Sequence, residues 1–122
     1  MNILKSIYLS TIMTGGCSYS LQERKTIKKG FSVSIFPEYE KIVNASEFTT
    51  FTIDDYIDEH LKALTDYPGA IVGTWNDNGR IFLDVSIVVE TYEEAEKLGK
   101  AHNQKAFYDL GKNETITIEK GA

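Results

Sequence analysis

The sequence is poor in the features that usually announce a mechanism. It has a single cysteine, Cys17, so no internal disulfide can form. That excludes the stapled framework of a small secreted scaffold and agrees with a reducing compartment, the cytoplasm. No apolar run approaches the length of a membrane span. No Gly-rich phosphate loop, His-x-x-x-His spacing, cysteine pair or Gly-x-Ser-x-Gly elbow occurs. The two histidines, His60 and His102, fall on different predicted helices, and Cys17 has no base beside it in sequence. Acid pairs such as Asp54-Asp55 and Glu93-Glu94 are explained by helix N-termini, where the dipole favours negative charge. The expectation is a binding protein, with no catalytic residue, cofactor or metal.

Cations are also scarce. The net charge is −5 over 122 residues, a poor balance for duplex nucleic acid, whose binding depends on neutralising phosphates. The charge is uneven. The first 36 residues carry five basic side chains against one acid, and the remainder carries eight against seventeen. The basic cluster Arg24, Lys25, Lys28 and Lys29 fits either a solvated loop or a local phosphate contact.

What is present is an ordinary globular composition, 42% hydrophobic and 25% charged. It makes one domain over residues 1–122, long enough to bury a core without staples. Lys5, the short run Ile7–Met13 and Gly15-Gly16-Cys17 caricature a lipoprotein signal. Ser10 and Thr11 break the run, and Thr14 stands where an aliphatic residue is usual, so export is not expected. Residues 1–29 read as an N-terminal assembly and loop segment: a short strand or helix, then a polar loop over 14–30. Met13 could also serve as an alternative start.

Phe31–Phe36 alternates as a half-buried strand does, and Pro37 ends it. Glu47–Phe51 is weakly strand-like. Ile53, Tyr56, Ile57, His60, Leu61 and Leu64 carry helical spacing, with Thr52 as the cap and Tyr67-Pro68-Gly69 as the stop. Ala70–Trp75 and Arg80–Val89 form a hairpin around Asn78-Gly79, the preferred centre of a type I′ turn. Thr91-Tyr92-Glu93-Glu94 opens a second helix with a capping box. Its stripe of Ala95, Leu98, His102, Ala106 and Leu110 carries it to about Leu110, with Gly111 as the left-handed stop and Gly99 allowing close packing. Glu114–Ile118 is a last strand. The order ββαββαβ predicts an α+β fold, an antiparallel sheet with two main helices packed on one face.

Function is most legible on the hairpin. Ile81, Leu83, Val85, Ile87 and Val89 point to the core, so Arg80, Phe82, Asp84 and Ser86 share the other face. An even-length turn puts Trp75 on that face beside Phe82, and Gly73 leaves room above the sheet. Flat aromatics flanked by Arg80 and Asp84 suit a purine and its ribose. They also suit a cross-strand aromatic pair or an oligomer contact. On the second helix, Asn103 shares a stripe with Phe107, and Gln104 adjoins it. The amides fit base or sugar recognition, or a solvated face. His102 fits a packed core histidine or a ligand contact.

Gly73-Thr74-Trp75, Arg80–Ser86 and Asn103-Gln104-Lys105-Ala106-Phe107-Tyr108-Asp109-Leu110, taken in order, resemble a group of short phage proteins, Thoeris anti-defence family one. The likeness covers about residues 70–110 and is weaker around Gly30 to Pro37. The resemblance implies a homo-oligomeric sponge. It would bind TIR-derived cyclic ADP-ribose isomers without degrading them and so block Thoeris immunity in the host cytoplasm. Some members are reported to hold cyclic oligonucleotides at separate sites. It further implies that Trp75 and Phe82 contact adenine, that Asp84, Asn103 and Gln104 read polar groups, and that Arg80 meets the diphosphate. The family pattern has a basic residue before the Asn-Gln pair. His102 stands there instead, so any phosphate contact from it depends on pH. The competing expectations are a phage inhibitor that grips a host protein through the same aromatic face, a small nucleotide-processing enzyme, and a single-stranded nucleic-acid binder.

Overall fold

The centre of the molecule is the hairpin. Strand β5 (Ala70–Asp77) pairs antiparallel with β6 (Arg80–Val89), and Asp77 stands opposite Arg80. The turn is therefore the two residues Asn78 and Gly79, with φ of 50° and 85°. Both are left-handed, as a type I′ turn requires, and Asn and Gly tolerate that region best. The computed structural model describes residues 2–118.

The other elements, in chain order, are helix α1 (Ile3–Thr14), strands β1 (Gly16–Ser20), β2 (Lys25–Thr26), β3 (Phe31–Val33) and β4 (Lys41–Asn44), helices α2 (Thr50–Glu59) and α3 (Leu61–Asp66), then helix α4 (Tyr92–Ala101) and strands β7 (Ala106–Asp109) and β8 (Glu114–Thr117). The described residues thus form an α+β fold with one eight-stranded antiparallel sheet and four helices. Strand order is β2-β1-β5-β6-β3-β7-β8, with β4 also on β6. Strand β6 is long enough to hold two partners along one edge. Lys41–Asn44 pair with its first half and Phe31–Val33 with its end, leaving Asp84, Val85 and Ser86 between them.

The core-facing rows are Ala70 and Val72 on β5 and Ile81, Leu83, Val85 and Ile87 on β6, each at most 8% exposed. Ile7 of α1, Ile53, Tyr56 and Ile57 of α2 and Leu64 of α3 pack on them. Ala95 of α4 packs on Val33 and Phe107, the continuation of the same face. Gly99 is needed for this approach, since a Cβ there would overlap Ile118 Cδ1. Helices therefore cover one face of the sheet, and the opposite face is left to the hairpin's second row of side chains.

Five expectations need correction. Residues 14–30 are not one loop: β1 and β2 form within them, and α1 and β1 pack into this core. Ile7 and Thr11 are buried, and β1 is laid along β5. Thr11 Oγ1 donates to Ile7 O at 2.7 Å and shares a 2.5 Å hydrogen bond with Thr74 Oγ1, so a polar residue in the run serves the interior. Glu47–Phe51 is a helix entry, not a strand. Thr49, not Thr52, is the N-cap; Thr52 is the N3 residue of its capping box, its hydroxyl oxygen accepting from the Thr49 N–H. The predicted helix beyond it breaks at His60 into α2 and α3. Finally, α4 ends at Ala101 and does not continue to Leu110; Asn103, with φ of 57°, takes the left-handed stop expected of Gly111. Residues 106–109 then alternate in burial as a strand, with Phe107 and Asp109 inward.

Candidate functional site

The uncovered face is concave. Trp75 on β5 and Tyr108 on β7 lie three strands and six residues of register apart, about 25 Å in a flat sheet. Their ring centroids are 6.3 Å apart at 86°, an edge-to-face contact. The sheet must therefore curl toward this face. The result is a groove of ≈ 940 Å³, near the upper end of small-molecule sites.

Each wall has a local cause. The floor is Gly73 and Trp75 of β5 with Phe82, Asp84 and Ser86 of β6, placed on one face by the register Gly73↔Asp84 and Trp75↔Phe82. One wall is the end of α1, where Ser10 Oγ donates to Gly16 O at 2.9 Å and Gly15 O accepts from Asn76 N at 2.8 Å. Thr26, Ile27 and Lys28 form the next, tied down by Ile27 N donating to Ser18 O at 2.8 Å. The last is Tyr108 with the rim Leu110–Asn113. Asp109 shapes that rim by accepting from Gly111 N at 3.0 Å and Lys112 N at 3.1 Å.

The floor holds an acid in an unfavourable place. A Cβ on Gly73 would stand 2.5 Å from Asp84 Oδ1, so the carboxyl occupies the space that glycine leaves. Ser86 Oγ donates to it at 3.2 Å. Burial drives the Asp84 carboxyl up to about 6, opposed by the Ser86 hydrogen bond and reinforced by Glu40. Beneath it, the Tyr56 phenol is pushed well above its usual range by burial and by the charges of Asp84, Glu59 and Glu40; its hydroxyl donates to Tyr39 O at 2.7 Å. Burial also raises the Cys17 thiol, partly offset by hydrogen bonds to Ser10 and Thr26. That disfavours the thiolate a nucleophile would need.

Of the residues singled out in the sequence, Trp75, Phe82 and Asp84 share the groove. Trp75 is 50% exposed and Phe82 half-buried. Arg80 lies beyond the lining, its guanidinium 5.4 Å from the Phe82 ring centroid, so it stacks on the aromatic from the hairpin end. His102, Asn103 and Gln104 occupy the turn from α4 to β7 and do not line the groove. His102 is exposed, contrary to its expected place on an apolar stripe, because the helix ends there and its stripe stops with it. His60 is packed as expected, its ring 4.6 Å from Tyr39 and 4.5 Å from Tyr56. Ser86 lines the groove on the face expected for it, Lys28 of the basic cluster lines it too, and Tyr108 is the lining residue that was missed. Tyr108 was hidden by the overlong helix; a second alternating run at 106–109 was the available signal. A smaller hollow of ≈ 360 Å³ between Tyr39, Lys62, Asp66 and Tyr67 shares no lining residue with the groove.

No family model, curated protein or solved structure matches this chain. Among the described residues, no group of three His, Cys, Asp or Glu side chains converges as metal ligands would. None of their helices is long and apolar enough to cross a membrane.

Proposed function

We propose that this protein is a nucleotide sponge. It captures a cyclic ADP-ribose signal in the concave groove, holds it uncleaved, and so blocks Thoeris immunity in the infected cell. The observation that carries the reading is the convergence of Trp75, Phe82 and Tyr108 over an acid-and-hydroxyl floor, with Lys28 on the opposite wall. Aromatic faces hold a base at about 1–3 kcal/mol each. The polar floor orients a sugar, and the lysine is the cation nearest to hand for a diphosphate. That role passes to Lys28 from Arg80, which braces Phe82 from outside the groove. The order of the Gly73–Trp75 and Arg80–Ser86 motifs, similar to that of Thoeris anti-defence family one, supports the same ligand class. The family likeness also supports a homo-oligomeric assembly.

A second reading, a phage inhibitor that grips a host protein, draws on one observation. Ile42, 46% exposed, stands beside Phe82, which stands beside Trp75, so an apolar row crosses this face.

The deciding experiment incubates purified protein with 1″–3′ and 1″–2′ cyclic ADP-ribose, washes, and heat-denatures the complex. Release of intact messenger is the expected result. An altered product would indicate an enzyme, and no retained ligand would favour the host-protein inhibitor.

A further inference from the structure

Aromatic walls explain how the groove would hold a base, but not why its floor carries a carboxyl. An ionised carboxylate has about four acceptor positions, and Ser86 Oγ fills one of them. The groups that face Asp84 do little to neutralise it. Glu40 precedes β4 and adds negative charge, and the Tyr56 phenol comes from α2 beneath. Ser18 of β1, across Gly73, and Tyr108 of β7 are neutral wall groups, and Lys28 lines the groove beyond β1. Retaining an acid here is costly unless something else supplies donors.

We propose that Asp84, steadied by Ser86, is the specificity-determining residue of the groove: its carboxylate accepts hydrogen bonds from the free hydroxyl pair of a ribose and repels anionic groups, so that bound phosphates lie toward Lys28. The proposal rests on nucleotide capture in this groove and adds its direction and its selectivity. Two vicinal hydroxyls supply two donors to two carboxylate oxygens, the chemistry by which an acidic side chain reads a ribose in dinucleotide-binding folds. Gly73 is part of the device, because any larger residue would claim the space of the carboxyl. Recognition then requires the ionised form. With burial holding Asp84 at about 6, it is about nine-tenths ionised at pH 7 and about one-tenth at pH 5. Apparent affinity falls in proportion to the competent fraction.

The test is calorimetric titration of the full chain with 1″–3′ and 1″–2′ cyclic ADP-ribose from pH 5 to pH 8, for the wild type and Asp84→Asn. The wild type is expected to lose about tenfold in affinity between pH 7 and pH 5. Asp84→Asn is expected to bind at least about tenfold more weakly at pH 7 and to show a flat profile. The variant keeps every other side chain and every ligand group, so a pH dependence arising elsewhere would persist in it. Its melting curve verifies that it folds. Binding by Asp84→Asn with wild-type affinity, or with the wild-type pH profile, overturns the role of Asp84 and leaves nucleotide capture standing. No binding by the wild type at any pH overturns both.

Discussion

Trp75 and Tyr108 meet edge to face with centroids 6.3 Å apart although β6 and β3 lie between their strands. The contact closes the groove at the end where Phe82 stands. Tyr108→Ala is expected to weaken cyclic ADP-ribose binding by about 1–3 kcal/mol, the value of one base–aromatic stack. The chain's fold depends little on this half-buried ring, so melting temperature is expected to hold within a few degrees. Trp75 is the only tryptophan and lines the groove. Titrating ligand while following intrinsic fluorescence reads occupancy directly, and an unchanged spectrum on saturation would place the ligand elsewhere.

Gly73 offers a second handle on the same site. A methyl group there would stand 2.5 Å from Asp84 Oδ1, the movable end of a side chain. The carboxyl can swing aside, so Gly73→Ala is expected to cost little stability and much affinity, on the order of tenfold. Denaturant melts and binding isotherms on the same preparation check this. A loss of both in proportion would mean that the glycine serves the sheet alone.

The hairpin and its two faces were legible in the sequence because each signal was local: Asn78-Gly79 fixes the turn, the turn fixes the register, and period two assigns the faces. The polar row that became the groove floor follows from that chain of steps. Residues 102–110 were misread for an equally physical reason. His102, Ala106 and Leu110 continue the spacing of Ala95 and Leu98, and only the left-handed Asn103 interrupts it. Asparagine can stop a helix as glycine does, but it gives no warning in a periodic pattern. The concavity could not be read at all. It depends on β3 and β7 arriving from distant parts of the chain, which local propensity does not encode.

Helix α1 makes a prediction about where the folding unit begins. Ile7 and Thr11 are at most 1% exposed, and Thr11 bonds Thr74 across 63 positions of chain. A chain starting at Met13 would strip these groups from the core. It is expected to be insoluble or to unfold well below the full-length midpoint, since removing one buried large aliphatic side chain costs about 2–5 kcal/mol. Thr11→Val leaves the buried Thr74 hydroxyl without its partner, at about 1–3 kcal/mol, whereas Thr74→Val leaves Thr11 bonded to Ile7 O and costs less. The double variant is expected to recover part of that loss, and a urea double-mutant cycle measures the coupling. Additive losses would argue against the hydrogen bond.

Asp84 couples function to stability with a definite sign. Its carboxyl rises from an ordinary 3.8 to about 6 on folding, chiefly through burial. The native state therefore binds the proton more tightly than the unfolded chain, and the ionised acid is a destabilising charge. That penalty is present in full above about pH 6, shrinks as the pH falls through the folded value, and vanishes below the unfolded value of 3.8. Asp84→Asn is accordingly expected to stabilise the protein at pH 7 by about 3 kcal/mol and to give little gain near pH 4. Urea unfolding of both proteins at the two pH values checks the sign. A variant that is more stable at pH 7 but binds the messenger less well would show that the charge is retained for the ligand. A variant less stable at pH 7 would mean that the carboxylate is satisfied within the fold and serves the sheet.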